Sequence, residues 1–325
     1  MPASGTVEVE GKRLAVSNLD KVLYPKTGFT KGQVIDYYTR VSPFLLPHLK
    51  NRPVTLKRYP NGVEGLFFYE RQCPAHRPDW IKTALVPKTE GGEVNYCVLN
   101  DLPALIWAAN LADLEIHTFL HKAPAIERPT ALAFDLDPGP PADIILCCEV
   151  GLALRDLFDK LSLKSFPKTS GSKGLQVYVP LNTPVTYEKT KAFAHSVAEA
   201  VQQQLSGKVV SKMQKSLRGG KVLVDWSQND RHKTTVCAYS LRAKERPTVS
   251  TPLKWEEVST ALKKKKAASL VFEAGAALKR FEKLGDLFAP VLTLKQKLPA
   301  LDKIAWPAAS SRTPGRGREA AAAHR

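Results

Sequence analysis

Asp135 and Asp137 stand two residues apart in the stretch Ala131-Leu-Ala-Phe-Asp-Leu-Asp-Pro138. Side chains alternate along a strand, so residues two apart share a face. Leu132, Phe134 and Leu136 can then face a core, with Ala133, Asp135 and Asp137 on the other side. Two neighbouring carboxylates repel each other unless a cation sits between them. Hard divalent ions such as Mg2+ or Mn2+ suit such a pair, above all when phosphate oxygens complete the shell. A lone Asp-x-Asp also arises by chance and in surface turns. A third acid, Asp225, lies in the apolar run Lys221-Val-Leu-Val-Asp-Trp226 and shares a strand face with Leu223. A carboxylate in such a run needs a partner or a metal. Three carboxylates from two strands could hold two divalent ions for in-line phosphoryl transfer. The alternative is that Asp225 caps a turn at the strand end.

Charge points to a polyanionic partner. The chain has 48 Lys plus Arg against 31 Asp plus Glu, a net charge of +17, which favours nucleic acid first. Part of the excess carries no such meaning. Residues 263–266 read as a solvated helix face, and the basic tail at 301–325 reads as a disordered end. The 325 residues can bury a substantial core, as one large domain or two small ones. No apolar run approaches a membrane span, so no membrane is expected. Cys73, Cys97, Cys147, Cys148 and Cys237 form no C-x-x-C pair and read as reduced thiols of a cytoplasmic protein.

The elements that must position the acids follow from pattern. Residues 7–16 read as a hairpin. Thr30 and Gln33 form a capping box for a helix over 31–48. Strands are expected at 52–58, 65–70, 94–99 and 114–118, with a helix over 103–112. Beyond the Asp135 strand, helices are expected at 143–161, 188–205, 254–264 and 278–287, with strands at 166–169, 175–179, 221–226 and 234–238. Strands and helices interleave without a simple βαβ rhythm, which favours a mixed sheet with helices packed on it over a Rossmann fold.

Thr169-Ser-Gly-Ser-Lys-Gly174 combines glycines, hydroxyls and a lysine between two strands. Small residues let backbone N–H groups approach an anion. The spacing is not that of a Walker A loop, and an ordinary hairpin turn is the other reading. Arg218 and Arg242 flank Asp225 and could clamp a triphosphate.

Taken together, these segments are far more specific. F134-D-L-D-P-G139, T169-S-G-S-K-G174, K215-S-L-R-G-G-K-V-L-V-D-W-S-Q-N229 and T234-T-V-C-A-Y-S-L-R242 occur in this order. With N18-L-D-K-V-L-Y-P25, R52-P-V-T-L-K-R-Y-P-N-G62 and L114-E-I-H117, they resemble the polymerase domain of bacterial DNA ligase D. That domain serves non-homologous end joining and belongs to the archaeo-eukaryotic primase superfamily. The resemblance runs from about residue 7 to residue 291. It implies that Asp135, Asp137 and Asp225 bind two divalent ions, Mn2+ or Mg2+. It implies that Ser172, Lys173, Arg218 and Arg242 hold the nucleotide's triphosphate, and that His117 is an active-site histidine. Lys57 would line the nucleotide pocket and Phe68 would stack on the base, with Tyr69 at the family's next aromatic position; core packing is the other reading of both rings. Asn18, Lys21 and Lys31 would grip a 5′-phosphate on the downstream strand, Lys31 from a helix N-terminus. Gln176 stands where the family has a histidine; it can donate to a phosphate oxygen but cannot become cationic, so weaker or less pH-dependent triphosphate binding is expected.

The fold implied is α/β (α+β type), a primase-like fold with a mixed, largely antiparallel sheet flanked by helices. An N-terminal end-binding portion would cover about 1–125 and a catalytic core about 126–300. The implied activity is DNA-directed nucleotidyl transfer that fills gaps and extends 3′ ends, with ribonucleotides preferred. Gapped or broken DNA, nucleoside triphosphates, Ku and a DNA ligase are the implied partners, in a bacterial, nucleoid-associated setting. The competing readings are a primase that starts chains de novo and a non-catalytic module that bridges DNA ends.

Overall fold

The structure, a computed structural model, describes residues 4–304. Its second half is built on the strand Ala131–Pro138. Leu132, Phe134 and Leu136 are fully buried, against Leu154 and Phe158 of the helix Ile144–Lys160 and Phe193 and Val197 of the helix Tyr187–Gln204. Burying each such side chain is worth roughly 1.5–3 kcal/mol. Asp143 and Thr186 cap these helices through their side chains. The strand lies at the centre of a five-stranded sheet, in the order Phe166–Thr169, Leu175–Pro180, Ala131–Pro138, Val222–Asp225, Val209–Val210. All pairings are antiparallel except the last.

The N-terminal half carries a second sheet in the order Thr235–Val236, Asp113–Thr118, Pro53–Arg58, Glu93–Val98, Lys82–Pro87, with Phe68–Glu70 also paired to Pro53–Arg58. The helix Lys31–Leu49 packs near it. The Thr30–Gln33 capping box starts this helix, and Val34, Tyr37, Tyr38, Val41 and Leu45 are buried at helical spacing. The Tyr38 hydroxyl donates to the Leu114 carbonyl at 3.0 Å, which ties the helix to the sheet.

The expected helices all form, with ends moved by up to four residues; the last begins at Ala274 rather than 278. The mixed, largely antiparallel α/β architecture is the one expected; among the described residues its strands divide into these two large sheets and three two-stranded pairs. The strand Lys82–Pro87, absent from the sequence reading, pairs along its whole length with Glu93–Val98. Thr235–Val236 returns from the second half to pair with Asp113–Thr118, so the halves divided near residue 125 share a sheet. They share a core too, in which Leu56 and Leu114 cluster with Tyr178, Tyr239 and Phe281. The reading of five reduced thiols is corrected, because Cys73 and Cys97 form a disulfide. The Cys73 N–H donates to the Asn95 carbonyl at 2.7 Å, which brings together two cysteines 24 residues apart. Cys147, Cys148 and Cys237 are free and buried. Cysteine usage therefore no longer supports the cytoplasmic expectation. Of the expected tail, Leu301–Lys303 forms a short 3-10 turn. Residues 305–325 lie outside the described residues. Among the described residues, no helix is long and apolar enough to cross a membrane.

Candidate active site

Antiparallel register sets Asp135 opposite Asp225, and Asp137 opposite Leu223. Asp135 and Asp137 line a cavity of about 450 Å³ between the two sheets, with His117, Ser172, Lys173 and Arg242 on its walls. Burial, then the charge of Asp137, pushes the Asp135 carboxyl up to about 7. Its Oδ1 is buried with no hydrogen-bond partner. Asp137 is raised as well, by burial and by Asp225, with Arg218 and Arg242 opposing. Asp225 behaves differently. Its Oδ1 accepts from the Ser227 N–H at 2.9 Å and the Ser227 hydroxyl at 2.6 Å, and its Oδ2 accepts from Gln228 Nε2 at 2.8 Å. It caps the turn at the strand end, the alternative open in the sequence. Among the described residues, no three His, Cys, Asp or Glu side chains are grouped to hold an ion. The donors of Asp135 and Asp137 nevertheless fit a hard divalent cation. They are all oxygens, they repel each other, and one is orphaned in a buried position.

Thr169–Gly174 is a hairpin turn between antiparallel strands. A Cβ on Gly174 would lie 2.1 Å from the Leu136 carbonyl oxygen, so only glycine lets the turn lie against the acid-bearing strand. The N–H groups of Ser172 and Gly174 donate to Ser170 Oγ, each at 3.2 Å. The glycine thus serves packing, and the loop reaches the cavity through Ser172 and Lys173. The Arg242 guanidinium donates to the Ser170 carbonyl. Arg218 is outside the cavity lining and donates to the Met213 carbonyl at 2.6 Å. Gln176 lines the cavity but is only 2% exposed. Its Nε2 donates to Thr235 Oγ1 at 3.1 Å, and its Oε1 has no partner.

The opposite wall comes from the N-terminal sheet. His117 Nε2 lies 3.0 Å from Glu115 Oε2. Burial holds the imidazole below its ordinary pKa, against the pull of Glu115. Lys57 Nζ lies 3.5 Å from Glu115 and within 5.4 Å of the ring centroids of Tyr59, Phe67 and Tyr69. Strand alternation turns Phe68 to the other face, where Arg58 sits 5.0 Å over its ring. Tyr69, and not Phe68, lines the cavity, edge-on to His117.

Asn18, Lys21 and Lys31 lie in a separate corner. Asn18 is exposed and adopts a φ of 55°. Lys31 is the first residue of its helix, and its Nζ donates to the Ser17 carbonyl at 2.6 Å. Burial, then the charges of Lys21 and Arg58, lowers Lys31 to about 8. Lys21 donates to Asn61 Oδ1 at 3.0 Å.

Three residues, Glu115, Arg58 and Lys168, escaped the sequence reading, and Tyr69 entered it only as the ring beside Phe68. Glu115 is an acid inside an apolar strand, two residues from His117, the same signal that marked Asp225. Tyr69 differs from Phe68 only by the parity of the strand. Arg58 joins the lysine corner through the fold alone. Lys168 is fully buried, donates to Ser250 Oγ at 2.6 Å and is brought down to about 7 by burial.

Residues 30–288 match the family described as "LigD, primase-polymerase domain". The chain is 38% identical over 295 residues to the multifunctional non-homologous end joining protein LigD of Mycolicibacterium smegmatis, covering 90% of this chain and 37% of the relative. It is 42% identical over 259 residues to the corresponding DNA repair protein of Mycobacterium tuberculosis, covering 76% of this chain and 34% of the relative. The chain thus spans little more than a third of these relatives. Among solved structures it resembles the polymerase domain from Mycobacterium tuberculosis ligase D in complex with DNA. The TM-score is 0.81 at 38% identity, over 87% of this chain and 99% of that one.

Proposed function

This chain belongs to the LigD primase-polymerase domain family, a family of nucleotidyltransferases, and we propose that it adds nucleotides to DNA 3′ ends at gaps and breaks during non-homologous end joining, with ribonucleotides preferred. One observation carries the reading. Two carboxylates with raised pKa and an orphaned oxygen share a cavity with Lys173, Arg242 and His117. Acids on one wall and cations on the others match a triphosphate bound with divalent ions.

Asp135 and Asp137, with Asp225, would hold Mn2+ or Mg2+. When bound, such ions activate a 3′-hydroxyl and neutralise charge on the leaving pyrophosphate. Ser172, Lys173 and Arg242 would orient the triphosphate, with Arg218 joining once a ligand draws it from Met213. Lys57 and His117 would border the nucleotide, and Tyr69 would stack on its base. Gln176 would support Asp135 and the triphosphate by hydrogen bonds without adding charge. Asn18, Lys21 and Lys31, with Arg58, would take the 5′-phosphate across a gap. Ku and a DNA ligase would supply end capture and sealing, in a bacterial cytoplasm at the nucleoid. Residues 1–125 would serve mainly the DNA end and residues 126–300 the chemistry.

The lysine corner favours gap filling over de novo priming, because an unprimed template offers no downstream 5′-phosphate. The test compares a gapped, 5′-phosphorylated duplex with an unprimed single strand, each with Mn2+ or Mg2+ and with ribo- or deoxyribonucleotides. Metal-dependent extension of the gapped duplex is expected. Equal synthesis on the unprimed strand would favour the primase, and no synthesis on either would favour an end-bridging module.

A further inference from the structure

We propose that Glu115 is a positioning residue that fixes His117, Lys57 and Arg242 in the geometry the chemical step needs; this rests on the polymerase reading above. Its carboxylate is only 1% exposed. Oε2 lies 3.0 Å from His117 Nε2 and 3.2 Å from Arg242 Nε. Oε1 lies 3.5 Å from Lys57 Nζ and accepts from the Ala243 N–H at 3.0 Å. One carboxylate therefore meets Lys57 and His117 of the N-terminal sheet and Arg242 of the separate strand Leu241–Ala243, at one wall of the cavity.

The surroundings make this more than a buried ion pair. Burial alone would raise the Glu115 carboxyl, but the hydrogen bond with His117 and the charges of Arg242 and Lys57 hold it well below the usual carboxylate range. Its charge is thus permanent. With a proton on His117 Nε2 facing Glu115, Nδ1 is left for the cavity side. The Lys57 ammonium is held between Glu115 and the rings of Tyr59, Phe67 and Tyr69. Arg242 spans from Glu115 to the Ser170 carbonyl at the phosphate loop. Side chains locked by a second layer of contacts present a fixed geometry to a ligand, and small misplacements are costly to rate.

Charge and position act in opposite senses on binding. Removing an anion near a triphosphate pocket favours the nucleotide by Coulomb attraction. Freeing Lys57 and Arg242 adds an ordering cost when the nucleotide binds. These effects offset in affinity, whereas the chemical step loses its geometry. A group that merely bound nucleotide would change KM instead.

The experiment measures kcat and nucleotide KM on a gapped duplex with Mn2+, and the Kd of a fluorescent ATP analogue, for wild type, Glu115→Gln, Lys57→Met and the double variant. Circular dichroism checks folding. Glu115→Gln should lower kcat about tenfold or more, with KM and Kd changed by no more than about threefold. The double variant should be little worse than the poorer single one, because the two residues act as a unit. Nitrogen-edited NMR should show a slowly exchanging His117 Nε2–H in wild type that Glu115→Gln loses. Wild-type kcat in Glu115→Gln, a raised KM at unchanged kcat, or losses that multiply in the double variant would each overturn the proposal. If Glu115→Gln does not fold, Glu115→Asp keeps the charge but withdraws it by one methylene. That variant should then lose kcat at constant KM, and wild-type kinetics would overturn the proposal. Failure of wild type to extend DNA sinks the polymerase reading instead, and the His117 resonance still reports whether Glu115 holds the imidazole.

Discussion

The acidic floor of the cavity and the lysine corner are opposite versions of one device. Asp135 is pushed up to about 7 by burial and then by its neighbour Asp137. Lys31 is brought down to about 8 by burial and then by Lys21 and Arg58. Each region concentrates like charges that a ligand of opposite sign would relieve, a divalent cation in one case and a phosphate in the other. They differ in construction. The acids Asp135 and Asp137 come from one strand, where period two places them together. Lys21 comes from a loop, Lys31 from a helix start and Arg58 from a sheet strand. In the proposed function, chemistry would be built on the centre of a sheet, and end recognition on a junction of elements.

If that comparison holds, the acid pair should show the largest effect. Asp137→Ala should reduce nucleotide addition by about a thousandfold or more, since metal activation and charge neutralisation are lost together. DNA binding should stay close to wild type, because the lysine corner is proposed to hold the end. Wild-type extension in Asp137→Ala with excess Mn2+ would break the comparison at its acidic side.

The next effect separates the two faces of one strand. Tyr69→Ala should raise nucleotide KM about tenfold, the scale of a lost base–aromatic stack. Phe68→Ala should leave KM nearly unchanged, because that ring lies against Arg58. The reverse order would restore Phe68 to the nucleotide.

The lysine corner should act on DNA rather than on nucleotide. Wild type should bind a gapped duplex with a 5′-phosphate several-fold to about tenfold more tightly than one with a 5′-hydroxyl. Lys21→Ala with Lys31→Ala should erase the difference. The preference should also fade as pH rises through about 8, where Lys31 loses its proton. No preference in wild type at pH 7 would remove the end-recognition reading.

A pH-linked effect should follow on the acidic side. The folded pKa of Asp135, about 7, lies well above the ordinary aspartate value of 3.8. Without metal, the folded state therefore holds a proton that the unfolded chain has released between about 4 and 7, and stability falls as pH rises across that window. Mn2+ must displace this proton, so it should raise Tm more at pH 8 than at pH 5.5. Equal shifts at both values would mean that the pair does not take the ion.

The smallest effect is expected at Gln176. It donates to Thr235, but its Oε1 is free within the cavity lining. Gln176→His should lower nucleotide KM by several-fold, most at mildly acidic pH, because a charge-assisted bond is roughly twice as strong as a neutral one. Identical KM values at pH 6 and pH 8 would assign Gln176 to the Thr235 network alone.

The sequence by itself determined what short-range periodicity can encode. Burial of Leu132, Phe134 and Leu136 with exposure of Asp135 and Asp137 toward the cavity follows from alternation, and the Thr30–Gln33 capping box from local hydrogen bonding. The motif order was enough to identify the family. Tertiary structure decided the rest, because it depends on pairings with no local signature. The return of Thr235–Val236 to the N-terminal sheet brings both residues onto the cavity wall. The parity of a three-residue strand sets Tyr69 on the cavity lining and Phe68 against Arg58, and three residues are too few to show a period. Cys73 meets Cys97 through a backbone contact that their spacing does not reveal. His117 is Glu115's neighbour along one strand, but Lys57 and Arg242 reach it only from two other strands, and a carboxylate can be buried with its charge only where such partners converge.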